Sequence, residues 1–378
     1  MTNLEISKEI SDKFKFWSFI SMVLLVFVHG YNLQIRYLQP WTVPEEALTG
    51  TGFIEYFLAN GLFRFRIPML FIISGFLFAL HDQRSYKERA AKRLRTLGLP
   101  YLIWSALGII FSFTLELFPF TRNIVAASHI LQLNDSRLLL HDYKWYEVLA
   151  RWLFFPIPYQ LWFIRVLLIY NLAYPWIRWC VMHRIGRWIF FSVAFLLWMS
   201  TSGFVLIEGE GILFFSLGIW IQKNGFNIER PKAWLAPRWW GVGFVVVAAI
   251  KTWLAFKGHP FLGNAVFPIL TVMHKLMVFG GLVACWYGLD PLVRWSMKRR
   301  WFTWFSAFAF IIYAMHTPLI AFAIDPVLGL LHPFSYSRIV TFIGLSLLVL
   351  ALCIATGAFL RKIVPKVYSL LTGGRGLA

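Results

Sequence analysis

Long apolar stretches alternate with short polar gaps along the whole chain. Ten stretches read as membrane spans, near 15–33, 54–80, 96–118, 159–179, 187–203, 207–222, 238–256, 264–288, 302–323 and 336–360. A hydrocarbon core about 30 Å thick takes roughly 20 residues of helix. Lipid also demands that a span satisfy its own backbone. The pattern therefore predicts an all-α integral membrane protein with about ten transmembrane helices in one bundle. The pair 187–203 and 207–222 is the shortest and most closely spaced.

The gaps carry a second pattern. Lys8, Lys13 and Lys15 precede the first span. Basic residues then cluster in every second gap: Arg84 to Arg95, Arg178 to Arg187, Lys223 to Arg238, Arg294 to Arg300, and the tail from Arg361. These regions hold 24 of the 36 Lys and Arg residues, and the intervening gaps hold six. Cytoplasmic loops collect such charge, so both termini are expected on the cytoplasmic side of the inner (plasma) membrane. The net charge of +19 is thereby topological, and no nucleic-acid partner is expected. With 59% hydrophobic and 14% charged residues, no segment suffices for a separate soluble domain, and residues 1–378 read as one transmembrane domain. The longest external segment is 119–158, where 140–155 has the spacing of a helix lying on the outer leaflet. No cleavable signal peptide is expected. Cys180, Cys285 and Cys353 form no disulfide framework.

Charge inside the spans narrows the chemistry. Arg64, Arg66, Arg165, Lys251, Lys275 and Arg338 fall within apolar stretches, where a central cation costs roughly 2.5–3.5 kcal/mol. Arg338 and Lys251 are expected to snorkel. Arg64 and Arg66 point about 200° apart on a helix, and Arg66 is the one expected to face a cavity. Lys275 lies mid-span beside His274 with no evident role. His29, His316, Glu208 and Glu210 lie toward the external side. Such a set suits general-base chemistry at an imidazole and equally a proton relay. No phosphate-binding loop, dinucleotide fingerprint, HExxH or GxSxG motif occurs, and no histidine has companions at metal-ligand spacing.

Three segments then bear a likeness. Phe16-Trp17-Ser18-Phe19 through Val28-His29 is an apolar helix ending in histidine. Phe65-Arg66-Ile67-Pro68 runs on to Ser74-Gly75-Phe76, then to the basic hinge Lys92-Arg93-Leu94-Arg95 and to Pro100-Tyr101. Ile312-Tyr313-Ala314-Met315-His316-Thr317-Pro318 matches a late Tyr-x-x-His-x-Pro segment, and Leu161-Trp162-Phe163 is a further match. In order and spacing the chain resembles the acyltransferase 3 family, polytopic enzymes that acylate surface glycans. It departs at Ser18, where the family carries arginine eleven residues before the first histidine; Lys15 stands one turn earlier.

The resemblance implies an acyl-CoA donor, acetyl or succinyl-like, a glycan or lipid-linked sugar acceptor, and no metal. It implies His29 as base or transient acyl carrier and Arg66 at the oxyanion, with Glu208, Glu210 and His316 completing the catalytic set. Asn32, Trp162, Arg165 and Tyr313 are the substrate-binding candidates. Lys15, Lys92, Arg93 and Arg95 are candidates for the CoA phosphates. Homo-oligomer formation stays open. So do two other readings: a polysaccharide or lipid transporter, and a non-catalytic member of a glycan synthesis complex.

Overall fold

The computed structural model describes residues 6–377 except 36, 84, 134–136 and 204. No strand occurs among them; one isolated bridge pairs Gly203 with Glu208. The first helices are α1 (Lys8–His29), α2 (Gly50–Phe57), α3 (Arg66–Leu80), α4 (Tyr86–Arg93), α5 (Leu99–Glu116), α6 (Pro119–Ala127) and α7 (Trp145–Leu153). Next come α8 (Trp162–Leu172), α9 (Tyr174–Met182), α10 (Gly186–Met199), α11 (Gly209–Lys223), α12 (Pro237–Lys257), α13 (His259–Leu262) and α14 (Val266–Gly288). The last are α15 (Asp290–Met297), α16 (Arg300–Ser306), α17 (Ala309–Leu331), α18 (Ser337–Val340), α19 (Ser346–Ile363) and α20 (Pro365–Thr372).

Among the described residues, six helical segments are long and apolar enough to cross a bilayer: Gly50–Leu80, Tyr86–Glu116, Pro237–Lys257, His259–Gly288, Ala309–Leu331 and Ser337–Ile363. A seventh results if α9 and α10, bent by 115° at their junction, form one broken span. The other expected spans coincide with helices that miss those criteria for local reasons. α1 is 22 residues long but carries Lys8, Glu9, Asp12, Lys13 and Lys15 in its first half. α10 and α11 have 14 and 15 residues, about 21–23 Å at 1.5 Å per residue. The stretch 159–179 divides between α8 and α9, where Pro175 opens the second helix.

The chain forms two compact units. The first comprises the described residues up to Ala90 together with Ile169–Ser306; the second comprises Ala91–Leu168 and the described residues from Ala307 onward. In unit one, α3 and α11 cross at glycine. A Cβ on Gly75 would stand 2.0 Å from the Phe215 carbonyl oxygen, and one on Gly218 2.2 Å from that of Ile72. Small residues let backbones approach where apolar lipid supplies no drive for helices to associate. The polar end of this crossing is tied by Asp82, which accepts from Lys223 Nζ at 2.6 Å, Arg178 Nε at 3.2 Å and the Tyr174 hydroxyl at 3.0 Å.

In unit two, α17 packs on α19 and α20 packs on α5. The external segment builds its own small core from Val125, Leu131, Leu139, Leu140 and Ile157 with Phe322. Glu116 anchors it, accepting from the backbone N–H groups of Leu140 and His141 and from His141 Nδ1 at 2.5 Å. α7 buries no residue and exposes Trp145, Tyr146, Leu149 and Trp152.

Candidate active site

Several buried ionisable side chains of unit one gather around a break in the helical segment Gly50–Leu80. Between α2 and α3 the chain widens into one π turn, Leu58–Leu62, and Gly61 leaves helical geometry at φ −115° and ψ −105°. A break inside an apolar segment frees carbonyl oxygens that lipid cannot satisfy. Cations fill the gap. Arg64 Nε donates to the Ala59 carbonyl at 2.9 Å and its Nη2 to that of Leu38 at 2.7 Å. Lys251 Nζ, reaching over from α12, donates to the Asn60 carbonyl at 2.8 Å and lies 4.9 Å from the centroid of the Tyr56 ring. The expectation that Lys251 snorkels is therefore overturned: it is 0% exposed, because the broken turn offers its ammonium a fixed acceptor.

Arg66 opens α3 immediately past the break. Its Nη1 donates to the Phe63 carbonyl at 2.8 Å, and its Nε has no hydrogen-bond partner among the described residues. His29 is the last residue of α1, half-buried, and Gly30 closes the helix with its N–H on the Phe27 carbonyl. The chain beyond is held by Glu55 of α2, fully buried, whose Oε2 accepts from the Asn32 N–H at 3.0 Å. α1 packs against α3 in this unit.

The two glutamates have different surroundings. Glu208 is the N-cap of α11 and accepts from the Gly211 N–H at 2.6 Å, the usual use of an acidic side chain at a helix start. Its backbone N–H donates to the Tyr170 hydroxyl, which donates in turn to its carbonyl. Glu210 instead accepts from Trp198 Nε1 at 3.4 Å and lies within electrostatic reach of Lys275, Arg64 and Arg66. Lys275 Nζ lies 5.0 Å from the centroid of the Trp198 ring. His274, 3% exposed, lies within reach of Lys251, Arg64, Lys275 and Arg66, and its Nδ1 has no partner among the described residues. Sequence reasoning assigned His274 and Lys275 no role. The available signal was the adjacency of two ionisable residues in the middle of one apolar run.

Unit two holds the other candidates. α17 breaks at Thr317, at φ −112° and ψ 147°. Pro318 has no N–H for the Ala314 carbonyl, and Gln160 supplies the missing donor. Its Nε2 reaches the carbonyls of Tyr313 and Ala314 at 3.1 Å each, while the Tyr313 hydroxyl donates back to the Gln160 carbonyl at 2.6 Å. The Thr317 hydroxyl donates to Gln160 Oε1. His316 is fully buried, with Nδ1 2.8 Å from the Ile312 carbonyl. A carbonyl only accepts, so Nδ1 is the donor in this contact. Half-buried Arg165 lies within electrostatic reach of Tyr101 and Tyr313, and half-buried Trp162 meets Phe163 edge to face. Gln160 was missed, although a proline-broken helix in lipid calls for such a donor.

Among the phosphate candidates, Lys15, Lys92 and Arg95 are exposed and Arg93 is half-buried. In unit two Arg375, read from the sequence only as one of the basic residues of the tail, donates to the carbonyls of Thr96 at 2.8 Å and Thr372 at 2.9 Å. Burial, and after it the charge of Arg93, lower its pKa to about 10. No group of three or more His, Cys, Asp or Glu side chains that could hold a metal occurs among the described residues.

Comparison with known proteins adds three findings. A family model described as an acyltransferase domain matches residues 15–358. The chain is 26% identical over 358 residues to the succinoglycan biosynthesis protein ExoH of Rhizobium meliloti (strain 1021), covering 93% of this chain and 89% of that protein. No solved structure matches it.

Proposed function

This chain belongs to the acyltransferase 3 family, and from that premise we propose that it moves an acyl group, acetyl or succinyl-like, from acyl-CoA to a hydroxyl of a surface or lipid-linked glycan. The protein is a membrane O-acyltransferase. The glycan acceptor is supported by the relative's part in succinoglycan biosynthesis. The topology that accompanies this reading is ten spans in the inner membrane with both termini cytoplasmic.

The observation that carries the reading is the buried charged set of unit one, in which Arg66 keeps an unpartnered Nε. An acceptor hydroxyl is a poor nucleophile until a base takes its proton, and His29 is that base. The oxygen then bonds to the thioester carbonyl carbon. Arg66 Nε–H stabilises the oxyanion that forms, from a site where water does not compete. Collapse breaks the carbon–sulfur bond, and the departing thiolate takes up a proton. Glu210, held among cations, fixes the Arg66 side of the site, while Glu208 has its carboxylate engaged at the start of α11. Asn32 is the proposed substrate contact of unit one, and in unit two His316, Trp162, Arg165 and Tyr313 are the remaining proposed catalytic and substrate residues. For the donor phosphates the proposed residues are Lys15 in unit one and Lys92, Arg93 and Arg95 in unit two.

The test is mass analysis of surface glycans from cells carrying the wild type, the His29→Ala variant or neither. Wild type is expected to add one acyl mass, and His29→Ala to add none while inserting and folding normally. Acylation undiminished in His29→Ala removes the histidine from the mechanism. Glycans identical with and without the protein refute the reading.

A further inference from the structure

Unit one carries an open surface groove of about 650 Å³ at the end that holds the loop between α10 and α11, the end that the basic-residue pattern assigns to the outside. Trp41, Phe267, Ser200, Thr201, Thr271 and Val272 are among its lining residues. The volume falls within the roughly 300–1,000 Å³ of small-molecule sites. None of these side chains is charged. Thr201 and Thr271 commit their protons to backbone carbonyls, and Ser200 Oγ lies within hydrogen-bond distance of both the Leu197 carbonyl and the Ser202 hydroxyl. Thr201 donates to Ser200 at 2.6 Å and Thr271 to Phe267 at 2.9 Å. A hydroxyl used in this way still presents acceptor lone pairs. The groove therefore offers hydrogen-bond acceptors beside two aromatic side chains. A neutral, hydroxyl-rich ring with an apolar C–H face matches both; a lipid acyl chain has no donor to give. Thr201 also stands at φ 52°, a left-handed conformation that costs energy for a β-branched residue and is characteristic of ligand sites.

The groove abuts the charged set. Thr271 and Val272 lie one turn before Lys275 on the same face of α14. Met199, also in the lining, follows Trp198, whose ring meets Lys275 Nζ and whose Nε1 donates to Glu210.

We propose that this groove is the acceptor subsite. It seats one uncharged pyranose residue of the glycan, with a ring face on Trp41 or Phe267 and hydroxyls donating to Ser200, Thr201 and Thr271. The ring presents its next hydroxyl toward Lys275 and Glu210. This deepens the proposed function and rests on it for the identity of the ligand.

The experiment uses full-length protein in nanodiscs, acyl-CoA, and oligosaccharides cut from chemically deacylated surface polysaccharide of the same cells. Val272 is 45% exposed, so Val272→Trp narrows the groove without repacking a core. It is expected to raise the acceptor KM about tenfold with the acyl-CoA KM unmoved, and to abolish quenching of tryptophan fluorescence by the oligosaccharide. Thr271→Val, nearly isosteric, is expected to weaken acceptor binding several-fold. Unchanged acceptor KM and quenching in both variants overturn the proposal. So does native mass spectrometry that finds a phospholipid bound to wild type and lost from Val272→Trp while the acceptor KM stays put. A wild type that transfers no acyl group but shows Val272-dependent quenching sinks the enzymatic reading and supports the sugar site.

Discussion

Arg64 and Arg66 stand two positions apart in one apolar stretch and do different work. Both guanidinium contacts of Arg64 go to carbonyls beside the break at Gly61, so Arg64 completes the backbone. Arg66 spends one nitrogen on Phe63 and keeps Nε unpartnered. Arg64→Met strands two buried acceptors and is expected to cost about 1–3 kcal/mol for each one left unsatisfied, read as a lower unfolding midpoint in detergent. Arg66→Met strands one acceptor, the Phe63 carbonyl, so it is expected to lower that midpoint less than Arg64→Met does, and to lower kcat about 10²–10³-fold, the usual effect of deleting an oxyanion donor. The reverse pattern would exchange their roles. Sequence reasoning placed the two side chains on opposite sides of a helix from their spacing alone. It could not show that Lys251 shares the task of Arg64, because the carbonyl it serves, that of Asn60, lies 191 positions away.

At the scale of the element, broken helices organise both units, and glycine and aspartate hold unit one together. The α3–α11 crossing leaves no room at Gly75, where an added Cβ meets the Phe215 carbonyl oxygen. Gly75→Val is expected to separate the helices and cost more than the roughly 1–3 kcal/mol of ordinary overpacking, visible as loss of monodisperse protein after extraction. Asp82 joins the end of α3 to α9 and α11. Burial alone would raise its carboxyl pKa. The hydrogen bonds from Lys223 and Tyr174 and the charges of Lys223 and Arg178 outweigh that and hold it below the ordinary value. A depressed carboxyl stabilises the fold above its unfolded pKa, and the gain is lost as pH falls through the folded value. The melting difference between wild type and Asp82→Asn is therefore expected to be constant from about pH 5 to 8 and to close below about pH 4. A difference that persists in acid would show that the contacts act without the charge. Sequence reasoning saw the helices from their hydropathy but placed the 159–179 span across the junction of α8 and α9, where Pro175 starts a new helix.

For the whole molecule, the alternation of basic gaps makes a prediction independent of any site. In a variant lacking the three native cysteines, Trp145→Cys on the exposed face of α7 is expected to react with an impermeant maleimide added outside intact cells. Lys366→Cys is expected to react only after permeabilisation. Labelling of both from outside would break the expected topology. Ser18, the departure from the family pattern, is half-buried on α1, and exposed Lys15 is the nearest basic residue toward the terminus on that face. Nothing in the structure explains the exchange of arginine for serine.

The chain by itself determined that the protein is helical, that it belongs in a bilayer and which family it joins. Hydropathy, charge spacing and short motifs are properties of a segment, present before any segment meets another. Tertiary structure decided which buried charges close a backbone and which keep a free donor. It brought His274 and Lys275 of α14 to Arg64, Arg66 and Glu210, and it gave the Pro318 break its Gln160. Those assignments depend on what lies opposite a freed carbonyl or an unpaired cation, and the partner comes from elements remote in sequence.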